Sequence, residues 1–242
     1  MEKQWFEAWF DSPYYHLLYK KRDESEAQEF IDKLLVYLDP SPRATMLDLA
    51  CGKGRFSRYL ADKGYLVTGL DLSVNNIEFA RQFEAVNLSF FTQDMRKVFR
   101  VNYFDFIFSF FTSFGYFESV KDDLKSLQSV SKGLKDGGVY VLDFFNSEFV
   151  ISNLIEKELK TVAGVDFQID KWIKGPHVFK SITIDDNGNI HKFQERVRLF
   201  RLDELQHLVE KSGMKIIKVF GDYTLSDFDP ENSQRMILVI KK

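Results

Sequence analysis

The sequence predicts an α/β fold, a doubly wound and mostly parallel seven-stranded sheet interrupted by an antiparallel β insertion. Three observations predict it. Residues 46–57, MLDLACGKGRFS, run an apolar strand straight into a glycine turn from which a helix pattern starts at once. Apolar runs then alternate with amphipathic helix patterns to about residue 145, as crossover-connected parallel strands require. From about residue 162 to 200 the side chains alternate polar and apolar instead, and Asp186-Asn187-Gly188-Asn189 is a hairpin turn signal within that block.

In chain order, residues 1–23 are aromatic and irregular, with Trp5, Phe6, Trp9, Phe10, Tyr14, Tyr15 and Tyr19. Residues 24–38 place Ala27, Phe30, Ile31, Leu34, Leu35 and Leu38 on one helical stripe, and Pro40-Ser-Pro42 breaks the helix. The first strand is 45–50, followed by a helix over 55–62 that ends near Gly64. The second strand, 66–70, leads into Asp71, and Ser73 is placed to cap a helix through Ile77, Ala80 and Phe83. Residues 88–91 form a short strand. Residues 104–110 are almost continuously apolar, as a central strand covered on both faces should be. A helix over 121–133 turns Leu124, Leu127 and Val130 inward, and Gly137-Gly138 opens a strand over 139–145. After the alternating block, residues 202–211 return to helix, and 215–223 and 235–241 are the last two strands. The expected organisation is an N-terminal aromatic and helical lid over 1–40, an α/β domain formed by 41–146 and 201–242, and an antiparallel β cap over 147–200. Ligands of open α/β sheets sit at the carboxyl ends of the strands, and an insertion leaving the fifth strand departs from that edge, so it can roof a substrate.

Composition narrows the function classes. The 242 residues carry 45% hydrophobic and 29% charged side chains, which suits an ordered domain rather than a disordered chain. The net charge is −3, and the densest basic cluster, Lys20-Lys21-Arg22, is followed at once by Asp23-Glu24. No basic stripe for nucleic acid is visible, so a small-molecule partner is favoured. One cysteine, Cys51, rules out an intrachain disulfide, and with the four histidines it makes no zinc spacing. No run of 18 apolar residues predicts a membrane helix, and acids interrupt the N-terminal residues where a signal peptide needs an apolar core. The expectation is a cytoplasmic protein with no membrane partner and no metal, a monomer or a homodimer.

The strand-turn-helix at 46–57 is how such sheets build a nucleotide site. Gly52 and Gly54 let the backbone approach the ligand, and an acid at the end of the next strand, Asp71, can hold two ribose hydroxyls. Asp48 discriminates among ligands. A carboxylate inside the first strand repels a pyrophosphate and suits a ligand with an amino group. The third glycine of a dinucleotide fingerprint would fall at Ser57, which further disfavours NAD.

Leu47-Asp-Leu-Ala-Cys-Gly-Lys-Gly54 resembles the first motif of class I S-adenosylmethionine-dependent methyltransferases. Gly69-Leu-Asp71-Leu-Ser73 resembles their second motif, and Thr92-Gln93-Asp94-Met95 their acidic adenine-contacting segment. Phe104-Asp-Phe-Ile-Phe-Ser109 resembles their fourth strand and Leu134-Lys-Asp-Gly-Gly138 the loop before their fifth. The resemblance is close over residues 40–145 and looser elsewhere. It implies S-adenosylmethionine as methyl donor and S-adenosylhomocysteine as product. It also implies that Asp71 binds ribose, Leu72 packs on adenine, Asp94 accepts from the adenine amino group and the Met95 amide donates to the ring, with Gln93 and Phe110 alongside. Ala50 and Ser109 would offer carbonyls to the methionine amino group beside Asp48. Cys51 reads as a small residue filling the turn rather than as a nucleophile.

Tyr14, Tyr15 and Tyr19 can lie over the cationic sulfonium and Arg22 can bind the donor's carboxylate; packing of this segment on the core is the equal alternative. Methyl transfer is mostly positioning, and alignment alone is worth roughly 7–11 kcal/mol in favourable cases. Where a base is needed, Tyr116, His16, Glu195 and Arg198 are candidate bases and positioners, and Phe111, Phe114 and Phe117 can wall an apolar pocket. An acid/Asn-Pro-Pro-aromatic motif, the mark of amino-methylating nucleic-acid enzymes, is replaced by Ser109-Phe110-Phe111-Thr112. The first expectation is a small-molecule O-, N- or C-methyltransferase. An RNA-base methyltransferase, an NAD-dependent oxidoreductase and a non-catalytic binder of the donor are the rivals.

Overall fold

A computed structural model describes residues 5–19 and 24–242. The central sheet contains β1 (Thr45–Leu49), β2 (Leu66–Asp71), β3 (Leu88–Thr92), β4 (Phe104–Ser109), β5 (Leu134–Phe145), β10 (Lys215–Phe220) and β11 (Arg235–Lys241), in the order β10-β11-β5-β4-β1-β2-β3. Neighbours from β5 to β3 run parallel, whereas β11 is antiparallel to both β5 and β10. Strand order reverses beside β1, which opens a crevice at the carboxyl ends of β1 and β4. Both faces of the sheet are covered. Phe30, Ile31 and Leu34 of α3 (Glu24–Leu38) and Leu60 and Ala61 of α4 (Arg55–Asp62) close one side. Leu127 and Val130 of α6 (Val120–Gly133) and Leu205, Leu208 and Val209 of α8 (Leu202–Lys211) close the other. The capping role of Ser73 is realised: its hydroxyl accepts from the amide of Asn76 at the start of α5 (Val74–Ala80).

A second sheet lies in the chain between β5 and α8. It is antiparallel and made of β6 (Lys157–Val162), β7 (Val165–Lys174), β8 (His177–Asp186) and β9 (Asn189–Arg198), in sequence order. Asn187 and Gly188, at φ 53° and 87°, make the two-residue turn that the Asn-Gly pair favours. Phe167, Ile169, Ile182 and Ile184 form one buried face of this sheet, closed by Trp9 and Leu18 from α1 (Trp5–Phe10) and α2 (Pro13–Leu18).

Three local expectations are corrected. The stretch read as irregular holds the two short helices α1 and α2, whose aromatics pack on the antiparallel sheet and on Tyr116 and Phe117 after β4 rather than forming a helical stripe of their own. The block begins earlier than residue 162: α7 (Ser147–Ser152) comes first, capped by Asn146, and then β6. An edge strand carrying mostly exposed side chains, β6 shows no apolar alternation. Finally, β10 stops at Phe220, where Gly221 and Asp222 turn the chain, not at Tyr223.

Candidate active site

The glycine turn after β1 is a run of left-handed residues: φ is 64° at Ala50, 55° at Gly52 and 75° at Gly54. At Gly54 a β-carbon would stand 2.5 Å from the Phe90 ring, so this glycine serves close packing of the turn on β3. At Gly52 a β-carbon would meet no protein atom within 4 Å; the space there belongs to a cavity. The Gly52 amide donates to Asp71 Oδ2 at 2.8 Å and the Ser73 amide to Oδ1 at 2.8 Å, which fixes the acid at the end of β2 against the turn. Asp48 is buried beneath, accepting from the Ser57 hydroxyl at 2.6 Å. Burial pushes the Asp48 carboxyl up to about 6, with the Ser57 hydrogen bond opposing and the charge of Asp71 adding. Burial also raises Asp71, against the pull of the Ser73 and Gly52 amides. The Cys51 thiol is raised well above its ordinary value, first by burial and then by Asp48 and Asp71, so it is a poor nucleophile.

These groups open on a cavity of about 430 Å³. Its wall includes Asp48, Ala50, Cys51, Gly52, Asp71, Leu72, Gln93, Asp94, Met95 and Phe110. Tyr15 and His16 of α2 and Tyr116, after β4, also line it. His16 Nε2 lies 3.2 Å from Asn76 Oδ1, and burial followed by the charge of Lys53 lowers its proton affinity.

A second cavity, about 640 Å³, adjoins the first and shares Phe10, Tyr15, Tyr19, Phe111 and Tyr116 with it. The partition is strained: Phe111 and Thr112 both hold positive φ, 57° and 61°. A buried ion pair pins them. Asp143, fully buried near the end of β5, accepts from Arg235 Nε at 2.8 Å and Nη2 at 2.5 Å. Its other oxygen accepts from the Phe111 amide at 2.7 Å and the Tyr223 hydroxyl at 3.2 Å, while Arg235 Nη2 also reaches Thr112 Oγ1 at 3.0 Å.

Residues 19–219 match the family described as "Methyltransferase domain". The chain belongs to the class I S-adenosylmethionine-dependent methyltransferase family. Among its relatives, YqeM of Bacillus subtilis (strain 168) is 29% identical over 83% of this chain and 85% of its own. The dTDP-3-amino-3,4,6-trideoxy-alpha-D-glucopyranose N,N-dimethyltransferase of Streptomyces venezuelae is 26% identical over 84% of this chain and 89% of its own. The fold is shared with the crystal structure of an S-adenosylmethionine-dependent methyltransferase from Clostridium acetobutylicum ATCC 824, at TM-score 0.79 and 22% identity, covering 94% of this chain and 95% of that one.

In this methyltransferase most of the sequence-derived donor residues share the first cavity, but several stand elsewhere. Gly54 packs on Phe90 and Ser109 is buried in β4, so neither lines the cavity. Tyr14 faces the antiparallel sheet, where its hydroxyl donates to Asp186 at 2.9 Å and its ring meets His191. Arg22 lies outside the described residues. Asp94 lines the cavity but is clasped by Arg96, whose Nε and Nη2 donate to it at 3.0 Å and 2.6 Å. Burial works against the Asp94 charge, yet Arg96 outweighs it and holds the carboxyl below its ordinary range. Glu195 reaches only the second cavity, and there its Oε1 accepts from Trp9 Nε1 at 2.5 Å and the Tyr19 hydroxyl at 3.0 Å. Arg198 lines neither cavity; it pairs with Glu204 at 3.8 Å and lies over Phe200. Tyr116 lines both cavities and donates its hydroxyl to the Thr112 carbonyl. Arg198 is therefore set aside as a base, while Glu195 stands in the second cavity with its Oε1 already engaged by Trp9 and Tyr19.

Sequence reading missed Asp11, whose carboxylate takes the Ser73 hydroxyl at 2.6 Å and the Asn75 amide at 2.6 Å and so ties the segment between α1 and α2 to the donor loop. It also missed the Asp143–Arg235 pair. A signal existed for Asp143: a charge inside the apolar run Val139–Phe145, the same anomaly that marks Asp48. Among the described residues, no three His, Cys, Asp or Glu gather as a metal set, and no helix is long and apolar enough to cross a membrane.

Proposed function

We propose that this methyltransferase moves a methyl group from S-adenosylmethionine to a nitrogen, oxygen or carbon atom of a small molecule. The carrying observation is the open cradle at Gly52, set between the buried Asp48 and the half-buried Asp71 on the wall of the first cavity. A side chain at Gly52 would occupy that cradle itself, and Asp48 supplies a carboxylate for an amino group where a pyrophosphate would be repelled. The residues therefore fit the donor. Asp71 would hold the ribose, Leu72 and Met95 the adenine, and Asp48 with the Ala50 carbonyl the amino group. Lys53 and Arg55 on the same wall suit the carboxylate. Because Asp94 is already engaged by Arg96, its part in adenine recognition is the weaker assignment.

When bound, the donor supplies an electrophilic methyl carbon: the acceptor's lone pair forms the new bond and the electrons of the broken carbon–sulfur bond stay on sulfur. The chain's part is placement. Tyr15, Tyr116 and Phe111 present aromatic faces at the boundary of the two cavities, which stabilise a cationic centre and keep water away from it. His16, kept neutral by burial and Lys53, is the proton acceptor closest in kind to a general base within the first cavity. The antiparallel sheet acts as the substrate cap and the N-terminal helices as a lid. The reading is of a cytoplasmic enzyme, monomer or homodimer, whose assembly state light scattering will assign.

Calorimetry tests it. S-adenosylhomocysteine should bind and raise the melting temperature, while NADH should do neither. Stabilisation by NADH alone overturns the reading. Binding of S-adenosylhomocysteine with no turnover across a broad panel of metabolites would instead make this a donor-binding protein.

A further inference from the structure

The second cavity has the volume of a small-molecule site, and its walls are mostly aromatic and branched apolar side chains. Among the described residues its charged groups are Glu26, Lys171, Lys180, Glu195 and Arg235, and both lysines are engaged. Lys180 lies 3.6 Å from Glu195 and donates to the Tyr19 hydroxyl; Lys171 donates to Glu158 at 3.1 Å. Arg235 is different. Asp143 and Thr112 take its Nε and Nη2, but Nη1 makes no hydrogen bond among the described residues. Nor is Nη1 sealed in the protein, unlike the partnerless Nε atoms of Arg196 and Arg198. A rigid guanidinium is thus held by one edge with a donor left over, on the wall of a cavity that meets the donor site at Tyr15, Phe111 and Tyr116.

The charges around this cavity restrict what Nη1 can take. Lys171, Lys180 and Arg235 line it together with Glu26 and Glu195, and Asp143 stands directly behind Arg235. Among the described residues cations and carboxylates balance, so a phosphate dianion would face acids without surplus positive charge from them. One carboxylate on an apolar body needs only the leftover donor of Arg235 and the aromatic walls.

We propose that the second cavity is the acceptor chamber and that the acceptor is an apolar or aromatic small molecule bearing a single carboxylate, anchored by Arg235 Nη1. This rests on the methyl-transfer reading above. The carboxylate sits at the β5–β11 side, and the accepting atom faces the shared aromatic partition.

Saturation-transfer NMR on the full chain with S-adenosylhomocysteine present tests the assignment, using 3-phenylpropionate, its primary amide and 2-phenylethyl phosphate as probes. The carboxylate should bind at least about tenfold more tightly than either of the others. Arg235→Lys keeps a charge for Asp143 but removes the free donor; it should weaken the carboxylate by roughly tenfold with S-adenosylhomocysteine affinity unchanged. Val197→Phe, which fills the chamber from β9 without touching the ion pair, should exclude all three probes and also spare S-adenosylhomocysteine. Equal binding of amide and carboxylate, tightest binding of the phosphate, or indifference of the carboxylate to Val197→Phe overturns the proposal while the donor site stands. Failure of S-adenosylhomocysteine to bind the unaltered chain removes the methyl-transfer reading and this inference with it.

Discussion

The two adjoining cavities are built in different ways. The donor cavity is organised by a backbone cradle: a left-handed turn at Ala50, Gly52 and Gly54, with the Gly52 and Ser73 amides fastening Asp71, all within residues 50–73. The neighbouring chamber is made of side chains from distant elements, joined through an Asp143–Arg235 contact 92 residues apart in sequence. A backbone-built site depends on the residues that permit a turn, and small changes to it act by steric clash. A site built of side chains depends on charge compensation, and its failures come from leaving one partner behind.

The contrast should appear first in stability. Asp143→Ala leaves the Arg235 guanidinium buried without its counter-charge and frees the strained Phe111–Thr112 bend, so chemical denaturation should register a loss of about 3–5 kcal/mol. Gly54→Ala presses a β-carbon onto Phe90 at a positive φ; the expected loss is about 2–4 kcal/mol in the same experiment, with donor binding impaired as the turn shifts. If Gly54→Ala is neutral, the turn is not backbone-limited and the contrast fails. Asp71→Ala should lower S-adenosylhomocysteine affinity by roughly a hundredfold in calorimetry. It should also cost some stability, because the Gly52 and Ser73 amides lose their acceptor.

A smaller effect concerns pH. Asp48 has an ordinary value of 3.8 and is pushed up to about 6 in the folded chain. The folded state therefore holds this proton more tightly than the unfolded one, so the stability Asp48 contributes is complete below pH 3.8 and is lost as pH rises through about 6. A bound ammonium favours the carboxylate. S-adenosylhomocysteine affinity should accordingly climb with pH, about tenfold per unit below the Asp48 value, and level off above it. Asp48→Asn should flatten that profile. The least effect is expected at Cys51: with its thiol raised by burial and two acids, iodoacetamide should label the folded chain far more slowly than the unfolded one, and Cys51→Ala should leave affinity nearly unchanged.

Legibility followed the same division. The positions of the central strands, the β1-α4 turn, the acid at the end of β2 and the Asn187-Gly188 hairpin are readable because each is set by neighbours in sequence: a strand's apolar run, a glycine's permitted φ, a cap such as Ser73. The helices α1 and α2 are not, since their aromatics pack against residues far along the chain: Tyr116 and Phe117 for Trp5 and Phe6, and Phe193 of the other sheet for Trp9. Tyr14 and Glu195 were placed at the chemistry by residue type alone. Their contacts, Asp186 for one and Trp9 with Tyr19 for the other, span 172, 186 and 176 residues and leave no local mark. Asp143 could have been suspected as a charge in a buried strand. Its partner Arg235 could not, because nothing in the sequence says which cation a buried acid will meet.

The pairing of β5 with β11 also bears on synthesis. Asp143 leaves the ribosome long before Arg235 does, so a nascent chain that stops short of its last strand carries a buried, uncompensated anion under the bend between the two cavities. Such fragments should stay incomplete at the point where donor and acceptor are meant to meet, however well their first strands have formed. Quality control that removes them would thereby spare the cell half-made catalysts.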